Sequence, residues 1–274
     1  MHSTTLLFSA AAFAARVYAG TPPAAPAGMH LLWSDEFNGS GNIDLSKWQY
    51  YTGGQVNGEL EHYSGDHCTL SGSGSLLITP LNVDGQWESC RIETKDAWAP
   101  PTGGKLQVQS HFKLGKAGAI LQGIWPAFWS LGESMRQGTP WPACGEIDTF
   151  ENINGQAQGF GTLHCGTTCH GGEGLSLAAP FDYGTPHTWS HIIDITNGDW
   201  TQQSITFSLD GNPYHIIHGS DLNNQDDWTA VAQKAMYITL NVAVGGAFPG
   251  APAANTASGS DAGMEIDYVA VYST

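Results

Sequence analysis

The sequence contains few basic residues. Lysine and arginine together number 9, against 25 aspartates and glutamates, so the 274-residue chain has a formal charge of −16 at pH 7. Nucleic acids and anionic membrane surfaces bind proteins largely through lysine and arginine. We therefore expect neither a nucleic acid nor a membrane as a partner. A neutral polymer is compatible with this charge, although solubility in an acidic environment would explain it equally well.

Long apolar runs are missing beyond the start of the chain. Leu6 to Ala15 is apolar, follows a short polar start and ends near Val17-Tyr18-Ala19, a small-residue cleavage pattern. This pattern predicts a signal peptide over residues 1–19, with a short uncleaved anchor as the alternative, and an N-terminal tail over residues 20–28. No later run approaches the ~20 apolar residues that span a bilayer. We expect a secreted, extracellular monomer with one domain over residues 29–274.

Cysteine is also scarce, and the count is odd. The five cysteines are Cys68, Cys90, Cys144, Cys165 and Cys169. An odd number in a secreted chain leaves at least one cysteine unpaired or bridged to another molecule. The connectivity is not readable from the sequence, but Cys144 and Cys165 lie on segments that we expect to be neighbours, and a bridge there would brace them. Asn38-Gly39-Ser40 is an N-glycosylation sequon.

Glycine and proline are plentiful and separate many short runs of β-branched and aromatic residues. These runs are Leu76 to Thr79, Lys105 to Phe112, Ile192 to Ile195, Ser204 to Leu209, Tyr237 to Val244 and Ile266 to Tyr272. Such spacing predicts short strands joined by tight turns, and Asp210-Gly211 is a hairpin signal. Only Asp226 to Ala235 has a helical pattern, with Asp226 or Asp227 as its cap. The fold class predicted is an all-β sandwich or jelly roll.

Three carboxylates stand close together in one predicted strand, at Glu146, Asp148 and Glu151. Side chains at i and i+2 of a strand share a face, whereas i+5 points to the other face. One β-bulge between Asp148 and Glu151 would return Glu151 to the face of the other two, and bulges are common beside active sites. Hydrolysis of a glycosidic bond with retention requires a carboxylate nucleophile and a carboxylic acid about 5 to 5.5 Å apart. Because the two glutamate backbones are roughly 13 to 16 Å apart on a regular strand, both side chains must lean inward across Asp148.

Two other interpretations of this cluster remain open. A calcium site is one, because Asn152, Asn154 and Gly155 follow directly and calcium ligands often come from such turns. A solvated acidic strand edge is the other, although the flanking Trp, Ile and Phe disfavour a purely polar face. The chain has no His/Cys/Asp cluster with zinc spacing, so we expect no metal and no cofactor in the chemistry.

The segment Trp141-Pro-Ala-Cys-Gly-Glu146-Ile-Asp148-Thr-Phe-Glu151 resembles the active-site signature of glycoside hydrolase family 16 in its bulged Glu-x-Asp-x-x-Glu form. Further matching segments follow in order along the chain: Trp33 to Phe37, Asn57 to Tyr63, Arg91 to Lys95, Gly123 to Trp129, Asn241 to Gly246 and Met264 to Tyr272. The resemblance implies a concanavalin-like β-sandwich jelly roll with a concave polysaccharide cleft and an endo-acting, retaining, metal-independent mechanism. It implies that Glu146 is the nucleophile, Glu151 the general acid/base and Asp148 an assisting carboxylate.

The same resemblance implies the residues that bind the sugar. His164 matches a family histidine on the strand beside the catalytic one, and a hairpin that turns near Gly155 would pair 152 with 158 and bring 146 near 164. The other implied substrate-binding residues are Trp125, Trp129 and Trp141, as aromatic platforms for pyranose rings, and Asn57, Glu59 and Arg91, as partners of sugar hydroxyls.

Some departures from the family pattern affect the predicted substrate. Phe248 stands where β-1,3-glucanases often carry Trp, and Thr149-Phe150 stands where they often carry Ile or Met. The function predicted is hydrolysis of internal β-1,3 bonds in glucans, including mixed-linkage ones. Cleavage of β-1,3-galactan, a carbohydrate-binding or lectin-like sandwich, and transglycosylation remain the alternatives.

Overall fold

The structure is a computed structural model that describes residues 23–53 and 55–274. The predicted signal peptide and part of the predicted tail lie outside these residues. The strands are β1 His30–Asp35, β2 Ser40–Gly41, β3 Trp48–Tyr50, β4 Glu61–Tyr63, β5 Cys68–Ser71, β6 Leu76–Ile78, β7 Leu81–Val83, β8 Gln86–Ser89, β9 Arg91–Thr94, β10 Lys105–Leu114, β11 Ile124–Gly132, β12 Glu146–Glu151, β13 Gln158–His164, β14 Leu175–Pro180, β15 His187–Asp194, β16 Ser204–Leu209, β17 Asn212–His218, β18 Met236–Val244 and β19 Met264–Ser273. The helices are α1 Gly219–Leu222 and α2 Gln225–Ala232, with 3-10 turns at Gly65–His67, Ala119–Leu121, Glu133–Gln137, Trp200–Gln202 and Gly259–Asp261.

Two large sheets form the body of the protein, as the prediction of an all-β sandwich requires. The nine-stranded sheet has the order β17-β16-β15-β10-β19-β6-β5-β2, with β1 paired to β19, and the seven-stranded sheet has the order β14-β13-β12-β11-β18-β9-β3. Aromatic side chains from both sheets meet between them. The ring of Phe112 on β10 lies 5.0 Å from that of Phe150 on β12. Contacts of this kind hold the sheets face to face as a sandwich.

Strand β18 lies near the middle of the seven-stranded sheet and is buried along its whole length. Ile238, Leu240 and Val242 belong to the hydrophobic core, whereas Tyr237 and Asn241 alternate with them and line a cleft on the other face. This alternation is the two-residue period of a strand. The cleft therefore lies on the face of the seven-stranded sheet that points away from the core.

Strand β12 contains the predicted bulge. Asp148 pairs with Thr162 and Glu151 with Phe160, and the register shifts between the two pairs. Glu146 pairs with His164 in the same ladder, as the predicted hairpin requires. The predictions of the bulge and of the pairing of Glu146 with His164 are both confirmed. The predicted pairing of 152 with 158 is wrong, because the bulge shifts the register by one residue and the ladder ends with Glu151 opposite Phe160.

The turn and helix predictions had different outcomes. Asp210 and Gly211 both have positive φ and join β16 to β17 in a tight hairpin, as predicted. The predicted helix exists, but it begins at Gln225 and its cap is Asn224, whose side-chain oxygen accepts from the backbone N–H groups of Asp226 and Asp227. The prediction of an aspartate cap was therefore wrong, and α1 was not predicted. Within the described part of the chain, neither helix has the length and apolar character needed to cross a bilayer.

The suggested bridge between Cys144 and Cys165 does not form. The bridges are Cys68–Cys90 and Cys165–Cys169, and Cys144 is a buried free thiol. Because Glu146 pairs with His164, Cys165 lies opposite Gly145 rather than Cys144. Cys144 packs with Leu131 and Tyr237, whereas Cys165 belongs to the main core. The two sulfurs therefore face different clusters.

Candidate active site

An open cleft of about 740 Å³ crosses the outer face of the seven-stranded sheet. The predicted site residues that line it are Asn57, Glu59, Arg91, Trp125, Trp129, Trp141, Glu146, Asp148 and Glu151. His164 is not among the lining residues, is 8% exposed and lies beside Glu146 on the neighbouring strand β13. The fold thus brings nine of the ten predicted residues to one cleft, and the tenth lies next to two of them.

The three acids reach this cleft because of the bulge. Strand β12 pairs with β11, so that Glu146 lies opposite Leu131, Asp148 opposite Trp129 and Glu151 opposite Ala127. These three residues of β11 alternate along the strand and all line the cleft. Without the extra residue, Glu151 would point into the core.

Each carboxylate has a distinct neighbourhood. Trp125 donates a hydrogen bond from its indole Nε1 to Glu151 Oε1 at 2.9 Å. At the other end of the strand, His164 Nε2 lies 3.2 Å from Asp148 Oδ2 and 3.9 Å from Glu146 Oε1. The imidazole ring is 5.5 Å from the ring of Trp141, which is 42% exposed. Glu151 is therefore held by a neutral donor, whereas Glu146 and Asp148 share a histidine.

Burial changes the acidity of all three groups. Burial and the neighbouring Asp148 raise the pKa of Glu151 to about 8, although the hydrogen bond from Trp125 lowers it. Burial raises the pKa of Asp148 to about 8. Burial, then the charge of Asp148, raise the pKa of Glu146, while His164 acts in the opposite direction. The three acids therefore hold protons as a set, and at least one remains protonated near neutral pH.

Arg91 anchors the part of the cleft beyond Trp129. Its guanidinium carbon lies 4.1 Å from the ring centroid of Tyr51 and 4.6 Å from that of Trp129. Its Nη2 donates to Glu93 Oε1 at 2.7 Å. Trp129 donates from Nε1 to Asn241 Oδ1 at 2.8 Å, so this ring is fixed at both its face and its edge. Such a rigid polar and aromatic floor suits a pyranose ring, which offers an apolar face and a rim of hydroxyls.

Glu59 and Asn57 form the wall above this floor. Burial, followed by the charge of the adjacent Glu61, raises the pKa of Glu59 to about 8. The hydroxyl of Tyr63 lies 3.4 Å from Glu59 Oε2 and accepts from Asn241 Nδ2 at 3.1 Å. Asn57 has a positive φ of 53° and accepts a backbone hydrogen bond from Ala247. A protonated Glu59 can donate to a sugar hydroxyl, which a carboxylate cannot do.

The calcium alternative receives no support from the turn after β12. Asn152 donates from Nδ2 to the carbonyl groups of Gln156 and Gln158, and Asn154 accepts from Gly123 N and donates to Pro249 O. These amides are used within the hairpin and its neighbours. A second possible ligand set does exist, because Glu146, Asp148 and His164 each place one donor atom within 4.8 Å of the others. These atoms belong to the acid cluster itself, and the expectation that no metal takes part remains a prediction.

Sequence reasoning missed several residues of the cleft. Gln49, Tyr51, Tyr63, Glu93, Arg136 and Asn241 line it but were not predicted as site residues. Tyr63, Glu93 and Asn241 lie within segments that matched the family pattern, so the signal was present but not attributed to individual positions. Gln49 and Arg136 lie outside those segments and are brought in by β3 and the turn after β11.

Comparisons with known proteins agree with this geometry. Residues 78–180 match the family profile described as XgeA-like, catalytic GH16 domain. The chain is 32% identical over 287 aligned residues to glucan endo-1,3-beta-glucosidase A1 of Niallia circulans, and 28% identical over 250 to keratan-sulfate endo-1,4-beta-galactosidase of Sphingobacterium multivorum. These matches cover 92% and 88% of this chain but only 39% and 54% of those relatives. The crystal structure of endo-1,3-beta-glucanase from Streptomyces sioyaensis superposes with a TM-score of 0.86 at 32% identity, covering 92% of this chain and 99% of that one.

A β-sandwich whose open, aromatic-lined cleft brings three carboxylates together has the site architecture of a glycoside hydrolase. The bulged carboxylate strand and the likeness over nearly the whole length of a solved relative identify the family within that class. The chain belongs to glycoside hydrolase family 16.

Proposed function

We propose that the protein is a secreted, retaining endo-β-glycanase that hydrolyses internal β-1,3 or mixed β-1,3/1,4 glucosidic bonds. The observation that carries the proposal is the bulge in β12, which brings Glu146 and Glu151 to the same open cleft with Asp148 between them. Double displacement needs these two carboxyl groups on one side of the scissile bond.

The two glutamates have separate roles in this mechanism. Glu146 attacks the anomeric carbon, while Glu151 gives its proton to the departing glycosidic oxygen. A water molecule then attacks the glycosyl-enzyme, and Glu151 takes up its proton. Burial raises the pKa of all three acids, so acidity alone does not separate their roles. Glu151 accepts a hydrogen bond from the neutral indole of Trp125, and its pKa of about 8 lets it carry the proton that a general acid needs. His164 lies near both Glu146 and Asp148 and favours negative charge there, which suits the nucleophile.

The cleft supports polymeric substrates. It continues from the carboxylates across β11 and β18 to Arg91 and Tyr51, which leaves room for several sugar units on one side of the scissile bond. The named activity of the Streptomyces and Niallia relatives supports β-1,3-glucan as the substrate. The likeness to a relative named an endo-1,4-beta-galactosidase supports a galactose-containing polymer as the second kind of substrate, and β-1,3-galactan is the second candidate because Phe248 departs from the glucanase pattern.

Secretion and a monomeric state are part of the proposal. Two disulfides among the described residues support an oxidising compartment, and Asn38 of the sequon is exposed. We propose that residues 1–19 are removed and that residues 29–274 act as one catalytic domain.

A substrate panel with sizing of the products tests the function. The expected result is rapid shortening of laminarin or lichenan to mixed oligosaccharides, unchanged by a chelator and abolished in Glu146→Ala. Cleavage of β-1,3-galactan with no action on either glucan would shift the assignment to the galactanase. Binding of a glucan without any cleavage would indicate a lectin-like protein, and products longer than the starting oligosaccharide would indicate transglycosylation.

A further inference from the structure

The segment Cys165–Gly174, here called the disulfide loop, connects β13 to β14 directly after His164. The disulfide Cys165–Cys169 closes its first half, and both cysteines are fully buried. The loop is not among the residues that line the cleft. Its position nevertheless matters, because β13 delivers His164 to Glu146 and Asp148 immediately before the loop begins.

One carboxylate outside the cleft holds this loop. Asp227 Oδ2 accepts hydrogen bonds from Thr167 N at 3.0 Å, Thr168 N at 3.2 Å and Thr168 Oγ1 at 2.8 Å, and a longer one from Thr167 Oγ1 at 3.5 Å. The backbone of Gly166 in this loop also lies close to the other carboxylate oxygen of Asp227, because a Cβ atom added to this glycine would lie 2.0 Å from Asp227 Oδ1. Hydrogen bonds to an ionised acceptor are the stronger kind. Asp227 therefore ties the first half of the loop to helix α2.

The second half of the loop packs on His164 and approaches Trp141. A Cβ on Gly174 would lie 2.8 Å from Cε1 and Nδ1 of His164, and one on Gly172 would lie 3.9 Å from Trp141 Cη2. The His164 ring needs such support, because its Nδ1 is buried without a hydrogen-bond partner in the described part of the chain. A metal-ligating or catalytic histidine is usually oriented by a hydrogen bond on its second nitrogen. Here packing takes that role.

Helix α2 also contacts the start of β12, next to Glu146, which is a neighbour of His164. A Cβ on Gly145, the residue before Glu146, would lie 2.9 Å from Val231 Cγ1 and 3.2 Å from Ala230 O. The same helix thus contacts the start of β12 and, through Asp227, the loop after β13. These two contacts lie at the end of the β12–β13 ladder, where Glu146 and His164 face each other.

We propose that Asp227 is a positioning residue for the reaction: by anchoring the disulfide loop it seats the His164 imidazole beside Glu146 and Asp148. This inference rests on the proposed function for its kinetic effect. The structural part, the orientation of His164, is independent of the substrate.

The test compares three variants on one helix. Asp227→Ala removes the acceptor, Asp227→Asn keeps one acceptor oxygen, and Asp226→Ala changes the adjacent exposed aspartate, which also lies in the first turn of α2. The readouts are kcat and KM on the polymer that the wild type cleaves, amide hydrogen exchange of Thr167 and Thr168, and the NMR titration of the His164 ring. We expect Asp227→Ala to lower kcat about 10-fold with KM changed less than about 2-fold, because a misplaced group near the reacting atoms slows the chemical step.

Further results distinguish positioning from simple stabilisation. Asp227→Asn is expected to retain most of the wild-type kcat, and Asp226→Ala is expected to behave as wild type. In Asp227→Ala, the amides of Thr167 and Thr168 are expected to exchange faster, and the NMR titration of the His164 ring is expected to shift. The double variant Cys165→Ser/Cys169→Ser loosens the same loop and is expected to lower kcat in the same way, which provides a second test if Asp227→Ala folds poorly.

Two results would overturn the proposal. One is a wild-type kcat and His164 titration in Asp227→Ala, whatever happens to its thermal midpoint. The other is an equal loss of kcat in Asp227→Asn, which would make the charge rather than the anchor responsible. A wild-type protein inactive on every polymer of the panel would contradict the proposed function instead, and the exchange and NMR measurements would still decide the role of Asp227.

Discussion

Glu151 is subject to two opposing influences. Its burial, together with the charge of Asp148, raises the pKa to about 8, and the hydrogen bond from Trp125 stabilises the carboxylate and so lowers the pKa. A general acid must be protonated in the free enzyme, and the pH dependence of kcat/KM reports the pKa of that state. The alkaline limb of kcat/KM should therefore lie near pH 8.

Trp125→Phe should move this limb upward. The substitution keeps an aromatic ring in the cleft but removes the indole N–H. The Glu151 carboxylate then loses this hydrogen-bond donor, and its pKa rises. A hydrogen bond to a charged group corresponds to a shift of about one pH unit. The matched control is Trp141→Phe, a cleft tryptophan whose ring neighbours His164 instead. A limb that stays in place or moves to lower pH in Trp125→Phe would contradict this assignment of Glu151.

At the scale of the element, the bulge in β12 is tied to the opposite sheet. Thr149 lies within the bulge, and its Oγ1 is 2.7 Å from Nδ1 of His191 on β15. Both residues are buried, and burial lowers the pKa of His191 to about 3, so the imidazole is neutral at working pH. A hydrogen bond with a neutral imidazole thus links β12 to the second sheet across the core.

Thr149→Val should destabilise the protein without changing the size of the side chain. The valine leaves a buried imidazole nitrogen without its partner, which costs about 1–3 kcal/mol. The midpoint of thermal unfolding should fall by several degrees, whereas Thr69→Val at an exposed position of β5 should change it little. An unchanged midpoint in Thr149→Val would show that the hydrogen bond contributes nothing to folding.

The bulge and the pairing of β12 could be predicted from the sequence because both depend on residues that are close together in the chain. Strand parity alone places Glu151 on the face opposite Glu146 and Asp148, so the bulge between Asp148 and Glu151 could be inferred. The pairing of Glu146 with His164 followed from a hairpin that turns near Gly155. The free Cys144, the Thr149–His191 contact and the stacking of Arg91 on Tyr51 and Trp129 could not. They depend on which residues of distant strands meet in the core or the cleft, and alternation along one strand does not contain that information.

At the scale of the whole molecule, the cleft reduces stability in a pH-dependent way. The pKa values of Asp148 and Glu151 are raised to about 8 in the folded protein, above those of an unfolded chain near 4. Folding therefore favours their protonated forms. The contribution to stability is fully present below about pH 4 and is lost as the pH rises to about 8.

Asp148→Asn should accordingly stabilise the fold at pH 8 and have little effect at pH 4, because the amide avoids the cost of a buried charge. The gain at pH 8 should be about 1 kcal/mol or more in the free energy of unfolding by urea. Asp226→Asn on the surface is the control, since it removes the same charge from a chain with a net charge of −16 without relieving any burial. An equal gain at both pH values, or a loss at pH 8, would contradict the burial argument.

The central claim is that Glu146 is the nucleophile and Glu151 the acid/base, and rescue by azide tests it most directly. With an activated β-glycoside, Glu151→Ala should still form the glycosyl-enzyme on Glu146, and azide should attack that intermediate to give the β-glycosyl azide. Glu146→Ala cannot form the intermediate, so azide should enter the vacated space and give the α-azide. The account predicts this pair of anomers, identified by NMR of the products. Reversed anomers, or near-native turnover of polymer by either variant, would contradict it.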